Sequence, residues 1–78
     1  MERYELTLNG GAGALARVVA VITARRWALG RLEYSEEAAD RRRLVVDLGG
    51  RRDQIEAQLG KLYDVLAVRG GVRSPELP

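Results

Sequence analysis

The sequence contains no cysteine and no histidine. Without cysteine the chain forms neither a disulfide framework nor a thiolate metal site. Without histidine it lacks the commonest general base and the commonest transition-metal ligand. Nucleophilic catalysis needs a nucleophile beside a base, and the hydroxyl groups of Thr7, Thr23, Ser35 and Ser74 have no histidine to activate them. An enzyme is therefore the least expected class of function, and a binding or regulatory module is favoured.

A long apolar run and a large excess of one charge are also missing. The longest apolar run is Val18–Ile22, far short of the about 20 residues that span a bilayer, and no signal-peptide pattern opens the chain. Thirteen basic residues and eleven acidic residues give a net charge of +2, which gives little support for nucleic-acid binding. We therefore expect a cytoplasmic protein that binds neither a membrane nor a nucleic acid.

The chain is short, with 78 residues, so we expect one domain. A domain of this size buries only about 60% of the surface that its unfolded chain exposes. Small domains therefore often gain stability from disulfides, metals or oligomerisation. Since the first two are disfavoured by composition, the sequence predicts a homodimer.

Two periodicities alternate along the chain. Apolar residues at every second position are typical of half-buried strands, and apolar residues at i, i+3, i+4 and i+7 are typical of helices. Asp53, followed three positions later by Glu56, predicts the capped start of the second helix. The pattern predicts strand, helix, strand, strand, helix, strand over residues 3–8, 14–26, 28–35, 44–48, 53–63 and 65–68, with a polar turn at 36–40.

An internal repeat supports this order of elements. A shift of 40 positions maps Leu6 onto Val46, Gly10 onto Gly50 and Val19 onto Leu59. Such a repeat is expected of two βαβ halves, and right-handed crossovers place both helices on one face of a four-stranded antiparallel sheet. We predict an α+β, ferredoxin-like βαββαβ domain over residues 1–73, followed by a frayed tail at 74–78. The opposite face is expected to be polar, with Glu5, Thr7, Arg43, Val45 and Asp47.

The glycine-rich segment Gly10-Gly11-Ala12-Gly13-Ala14 joins the first strand to the first helix. Glycines allow a ligand to approach the backbone closely, and the first N–H groups of a helix are unpaired donors. With the helix dipole they form a site suited to a carboxylate or a phosphate. The alternative is a tight turn that binds nothing. The segment is neither a dinucleotide fingerprint nor a Walker loop, because no Gly-Lys-Ser/Thr follows it.

Charged clusters flank the predicted turn between the second and third strands. The triplet Arg41, Arg42 and Arg43 is a candidate contact for an acidic partner, or it protects an edge strand from aggregation. The carboxylates of Glu36, Glu37 and Asp40 are interpreted as a solvated turn with local charge pairing rather than as a cation site.

The four aromatic side chains are expected to pack in or beside the core. Tyr4 and Tyr34 fall on the helix-facing register of their strands, while Trp27 and Tyr63 end the two helices. Sheets that bind RNA usually stack bases on aromatic residues of the open face. A nucleic-acid-binding ferredoxin-like domain is therefore a weak alternative.

Three segments carry a family resemblance: Gly13-Ala14-Leu15-Ala16-Arg17-Val18, Arg25-Arg26-Trp27, and Gln58-Leu59-Gly60-Lys61-Leu62-Tyr63-Asp64-Val65. They resemble the small regulatory subunits of acetolactate (acetohydroxyacid) synthase. That family reads G-(A/V)-L-x-R-V in the first helix and Q-L-x-K-L-x-D-V at the second helix and fourth strand. The resemblance covers residues 4–69 and implies an ACT domain, which is a βαββαβ fold, of the short single-domain type.

The resemblance implies a dimer of ACT domains that binds the large catalytic subunit and raises its activity. Thiamine diphosphate, magnesium and FAD would belong to that large subunit, and this chain would bind no cofactor and no metal. The reaction joins two 2-oxo acids with loss of carbon dioxide, on the route to valine, leucine and isoleucine. The alternative within the same fold is a stand-alone amino-acid-binding ACT module that regulates another enzyme or regulator.

The resemblance also implies where a branched-chain amino acid effector would bind. In valine-sensitive members the effector lies between two ACT domains, with its carboxylate at the first loop and its other contacts made by asparagines. This chain has Gly10 and Ala28 at the two asparagine positions, with Asn9 one position early. We therefore expect weak or absent feedback inhibition by valine. The candidate effector contacts are Asn9, Gly10, Gly11, Ala12, Gly13, Ala14, Ala28 and Leu29.

Overall fold

Six elements follow one another in the computed structural model, which describes residues 1–71. The four strands form one antiparallel sheet in the order β2-β3-β1-β4. This arrangement confirms the predicted ferredoxin-like βαββαβ fold. Residues 72–78, which include the predicted tail, lie outside the described residues. The elements are β1 (Glu2–Asn9), α1 (Ala14–Arg25), β2 (Ala28–Ala38), β3 (Arg41–Gly49), α2 (Arg52–Gly60) and β4 (Val65–Gly70).

The core lies between one face of the sheet and the two helices. Alternate residues of the two central strands, β1 and β3, are fully buried, and they pack with one stripe of each helix. The period-2 and helical patterns therefore predicted this core correctly, because side chains alternate across a strand and recur every three or four residues on a helix. The buried apolar residues are Tyr4, Leu6, Leu8, Ala14, Val18, Ile22, Leu44, Val46, Leu48, Ile55, Leu59 and Val65.

The opposite face of the sheet is polar and carries cross-strand ion pairs, as expected. Arg3 Nε lies 2.9 Å from Asp47 Oδ1, and this hydrogen bond holds the pKa of Asp47 below its usual range. Glu5 accepts from both Arg43 and Arg69. Partly exposed pairs of this kind stabilise a protein by about 0.2–1 kcal/mol each. The charged side chains of this face therefore pair with one another, but they contribute little to the free energy of unfolding.

Helix α2 is shorter than its pattern predicts. It ends at Gly60 rather than at Tyr63, because the chain turns there and the Val65 N–H donates to the Leu62 carbonyl at 3.0 Å. The prediction that Asp53 caps the helix is also wrong. The N-cap residue is Arg51, which makes no side-chain cap, and Asp53 pairs with the Arg51 guanidinium at 2.9 Å instead.

Strand β2 is longer than predicted. It continues through Glu36 and Glu37 to Ala38, so the predicted turn at 36–40 shrinks to the two residues 39–40. Glu36 pairs with Arg42 across the hairpin, and their side chains form an ion pair of 3.5 Å. Opposite charges that face each other across two strands stabilise the strand pair. Residues 36–38 therefore form a strand, although their polar composition predicted a turn.

The expectation for the aromatic residues is confirmed for two of the four. Tyr4 is fully buried, and Trp27 packs against the core. Tyr34 is 40% exposed and Tyr63 is 90% exposed, so their predicted packing is wrong. Tyr34 lies on β2, whose residues are all exposed, and Tyr63 lies in the turn after α2.

The hydroxyl oxygen of Tyr4 is buried, and it has no hydrogen-bond partner among residues 1–71. Burial and the nearby carboxylates of Glu2 and Glu56 raise the pKa of Tyr4. We expect Tyr4→Phe to raise the free energy of unfolding by about 1 kcal/mol, because it removes an unsatisfied polar atom and keeps the ring. Urea denaturation measures the change, with Tyr34→Phe as the exposed control. A loss of stability in Tyr4→Phe would contradict an unpartnered hydroxyl.

Helix α1 ends at a strained residue. Arg26 has φ 58° and ψ 32°, the left-handed conformation that glycine favours. We expect Arg26→Gly to raise the free energy of unfolding by about 1 kcal/mol, because a side chain in this conformation costs about 1–2 kcal/mol. The control is Arg25→Gly, one residue earlier inside the helix, which should lower it by about 1 kcal/mol. Thermal denaturation that gives both variants the same sign would overturn this interpretation.

Candidate functional site

The glycine-rich loop connects β1 to α1 at one end of the sheet. Asn9 connects this loop to the turn before β4 by hydrogen bonds. The Asn9 N–H donates to the Asp64 carbonyl at 2.9 Å, and Asn9 Nδ2 donates to Asp64 Oδ1 at 3.1 Å. Asn9 Oδ1 accepts from the Gly11 N–H at 2.9 Å. Both Nδ2 and Oδ1 of Asn9 therefore form hydrogen bonds within the chain.

Asp64 also binds Arg17, which extends from the first turn of α1. Arg17 Nη1 lies 2.5 Å from Asp64 Oδ2, and the Asp64 side chain is only 5% exposed while that of Arg17 is 62% exposed. The guanidinium lies over the start of the helix, because a Cβ placed on Gly13 would be 3.2 Å from Arg17 Nη1. Asn9, Arg17 and Asp64 are called the Asp64 cluster below.

The backbone of the loop is partly satisfied by its own contacts. The Gly11 N–H is bound by the Asn9 side chain, and the Ala14 N–H donates to the Gly11 carbonyl at 3.3 Å. Gly10, Gly11 and Ala12 are exposed, Gly13 is half-buried and Ala14 is buried. Two of the donors expected to hold a carboxylate are thus already bound, which favours the interpretation of the segment as a tight turn.

The other candidate effector residues lie far from this loop within one chain. Ala28 pairs with Gly49 and Leu29 pairs with Leu48, at the start of β2. Asn9, beside the loop, pairs with Arg41 at the opposite end of β3. The structure therefore does not bring Ala28 and Leu29 together with residues 9–14 in a single copy of the chain.

Two arginines of the triplet make polar contacts within the chain. Arg42 Nη1 donates to the Ala38 carbonyl at 2.9 Å and so closes the hairpin turn, and Arg43 pairs with Glu5. Arg41 is exposed, and it remains a candidate for contact with a partner. Within residues 1–71, no group of three or more acidic side chains is placed to hold a metal ion.

Sequence reasoning missed an exposed apolar surface on β2. Leu29, Leu32 and Tyr34 pair with core residues of β3, yet they are 46%, 36% and 40% exposed. The alternation placed Leu32 and Tyr34 on the correct face. They are only partly covered because β2 lies at the edge of the sheet.

No protein-family model matches this sequence, and no curated protein gives a significant match to it. Neither helix among the described residues is long and apolar enough to cross a membrane.

Proposed function

We propose that this chain is a cytoplasmic, non-catalytic regulatory subunit that binds the large catalytic subunit of acetolactate synthase and raises its activity. One observation carries the proposal. The arginine of the first resembling segment, Arg17, and the aspartate of the third, Asp64, form an ion pair across 47 positions of sequence. Two motif residues that are distant in sequence therefore contact each other in the fold.

The apolar residues of the same segments also fit their places in the fold. Val18 and Leu59 are buried in the core, and Val65 is buried where β4 begins. The helix-to-strand junction of the third segment is the turn that places Asp64 beside Arg17. This agreement shows that the motif residues fit the βαββαβ fold that the proposal requires.

Some residues of the third segment are exposed and take no part in the core. Lys61 and Tyr63 are exposed, and Tyr63 stands 90% exposed directly before the buried Asp64. Tyrosine is enriched among the residues that carry most of the binding energy of protein interfaces. We therefore propose that Tyr63 contacts the large subunit, where thiamine diphosphate, magnesium and FAD would be bound.

The proposal includes weak or absent feedback inhibition by valine. Gly10 and Ala28 carry no amide side chain, and the amide of Asn9 is bound within the Asp64 cluster. These contacts fix the orientation of the Asn9 amide and leave only one N–H and one Oδ1 lone pair for an amino acid. A regulatory subunit of this kind activates its partner without sensing the end product.

The test is co-purification with the large synthase subunit of the same genome, followed by measurement of acetolactate formation. We expect a stable complex and a higher turnover that valine does not reduce. Tyr63→Ala should weaken the complex at unchanged stability of the chain, whereas the matched control Tyr34→Phe should not. No complex and no change in turnover at saturating chain would overturn the proposal.

Calorimetry separates this proposal from a stand-alone amino-acid sensor. The unmodified chain is titrated with valine, leucine and isoleucine. Binding tighter than about 100 μM, roughly −5.5 kcal/mol, would contradict the expected loss of sensing. Such binding without a synthase partner would favour the sensor.

A further inference from the structure

Asn9 is the only asparagine in the sequence, and a glycine follows it. Asparagine is one of the chemically labile side chains of proteins. It loses its amide most readily before glycine, because no Cβ obstructs the approach of the next backbone nitrogen to the asparagine side chain. No aspartate of the chain precedes a glycine. Asn9-Gly10 is therefore the one dipeptide of the sequence that favours formation of a cyclic succinimide.

The fold requires glycine at the second position of this dipeptide. A Cβ placed on Gly10 would lie 3.1 Å from Cα of Asp40 and 3.2 Å from the carbonyl oxygen of Ala39. The turn between β2 and β3 thus approaches the backbone of Gly10 too closely for a larger residue to fit without a shift. Asn9 in turn supplies the amide that binds Asp64. Packing and hydrogen bonding together place a reactive dipeptide in this loop.

The folded loop opposes the reaction. Closure of the succinimide joins the Gly10 nitrogen to Cγ of Asn9, which requires rotation about both the Cα–Cβ and the Cα–C bond of Asn9. Asn9 is the last residue of β1 and pairs with Arg41, so its backbone is held extended. Its Nδ2 donates to Asp64 at 3.1 Å, and its Oδ1 accepts from Gly11 at 2.9 Å. Ring closure therefore requires the Asp64 cluster to open.

We propose that Asn9 is a deamidation site that reacts when the Asp64 cluster opens. The Gly10 nitrogen attacks Cγ of Asn9, the bond from Cγ to Nδ2 breaks, and Nδ2 leaves as ammonia with the proton of the Gly10 nitrogen. Water then adds to either carbonyl of the succinimide and opens the ring to aspartate or isoaspartate. Gly10 is exposed, so water reaches the site of both steps.

Neither product restores the Asp64 cluster. In the aspartate product a carboxylate oxygen replaces Nδ2, which lies 3.1 Å from Asp64 Oδ1. The Asp64 side chain is only 5% exposed, and two carboxylates so close to each other repel. In the isoaspartate product the main chain runs through the side chain of residue 9 and is one methylene longer. Deamidation therefore converts a reversible opening of the loop into a permanent one.

The first test measures the deamidation rate by peptide mapping, with an isoaspartate-specific methyltransferase as a second readout. Because the sequence offers one asparagine, every signal before a glycine belongs to residue 9. We expect Asp64→Ala to deamidate at least about tenfold faster than the unmodified chain at neutral pH, since local opening no longer has to break the cluster.

The matched control separates local opening from global unfolding. It is the unmodified chain in the urea concentration that gives it the same free energy of unfolding as Asp64→Ala in buffer. With the cluster intact, its deamidation rate should stay within about threefold of the rate in buffer. A control as fast as Asp64→Ala, or no acceleration in Asp64→Ala, would overturn the proposal.

The second test uses Asn9→Asp, which reproduces the aspartate product. We expect it to raise the equilibrium constant of unfolding at least about tenfold, because it sets two carboxylates against each other. The control Asn9→Asp with Asp64→Asn keeps one carboxylate and one amide at the two positions, and should return the constant to within about threefold of the unmodified chain. An unchanged constant in Asn9→Asp, or a double variant as unstable as the single one, would contradict the proposal. Neither test involves the synthase, so both succeed or fail separately from the proposed function.

Discussion

Leu6→Ala is expected to lower the free energy of unfolding by about 3 kcal/mol. Leu6 is fully buried and lies on the central strand β1, opposite Leu44 on one side and Val68 on the other. Removing a buried leucine side chain forfeits its transfer free energy and leaves a cavity, at a cost of about 2–5 kcal/mol. Domains of this size have a total stability of only about 4–12 kcal/mol, so the variant should be partly unfolded at mild temperatures.

Urea denaturation followed by circular dichroism measures this effect. The matched control is Leu66→Ala, since Leu66 lies on β4 and is 55% exposed. It should change the free energy of unfolding by less than about 1 kcal/mol. Equal losses in the two variants would contradict the position of Leu6 in the core.

Asp64→Ala is expected to lower the free energy of unfolding by about 2–3 kcal/mol, the range for lost hydrogen bonds to a charged group. The carboxylate is almost completely buried and binds both Arg17 and Asn9. Its removal leaves the Asn9 amide without its acceptor and releases the guanidinium of Arg17. We also expect the Gly11 N–H, which Asn9 binds, to exchange with deuterium faster.

A double-mutant cycle with Arg17→Ala isolates the ion pair. We expect a coupling free energy of about 1–2 kcal/mol between Arg17 and Asp64, as is usual for contacting charged residues. Asp53→Ala is the control, because Asp53 is an exposed carboxylate that pairs with Arg51 and should contribute about 0.5 kcal/mol or less. A loss in Asp64→Ala no larger than in this control would show that the Asp64 cluster does not fasten the loop.

Local periodicity was sufficient to predict the order of the elements and the core, but not the ends of β2 and α2. Leu62 follows Leu59 at a helical spacing, so the pattern continues past Gly60 without a break. The turn after Gly60 brings Asp64 to Asn9 and Arg17, which lie 55 and 47 positions away. Contacts over such distances leave no signal in a local window.

The position of the candidate site could be predicted from the sequence. The hydrogen bonds that Asn9 makes within it could not. The glycine-rich segment lies between β1 and α1, as its composition indicated. That Asn9 is already bound to Asp64 depends on the packing of β4 beside β1, which the sequence pattern does not specify. Likewise, alternation assigns Tyr34 to the core side of β2, while its exposed fraction depends on how far the helices extend across the sheet.

The central position of β1 also determines when the domain can form during synthesis. β1 pairs with β3 and with β4, so that Tyr4 meets Gly70, whereas the hairpin of β2 and β3 joins residues as close as Ala38 and Arg41. Pairings between distant residues form slowly because a long loop must close first. One hydrogen-bonding edge of β1 therefore stays unpaired until β4 has been synthesised. The hairpin of β2 and β3 can form early, and the sheet is complete only when β4 pairs with β1.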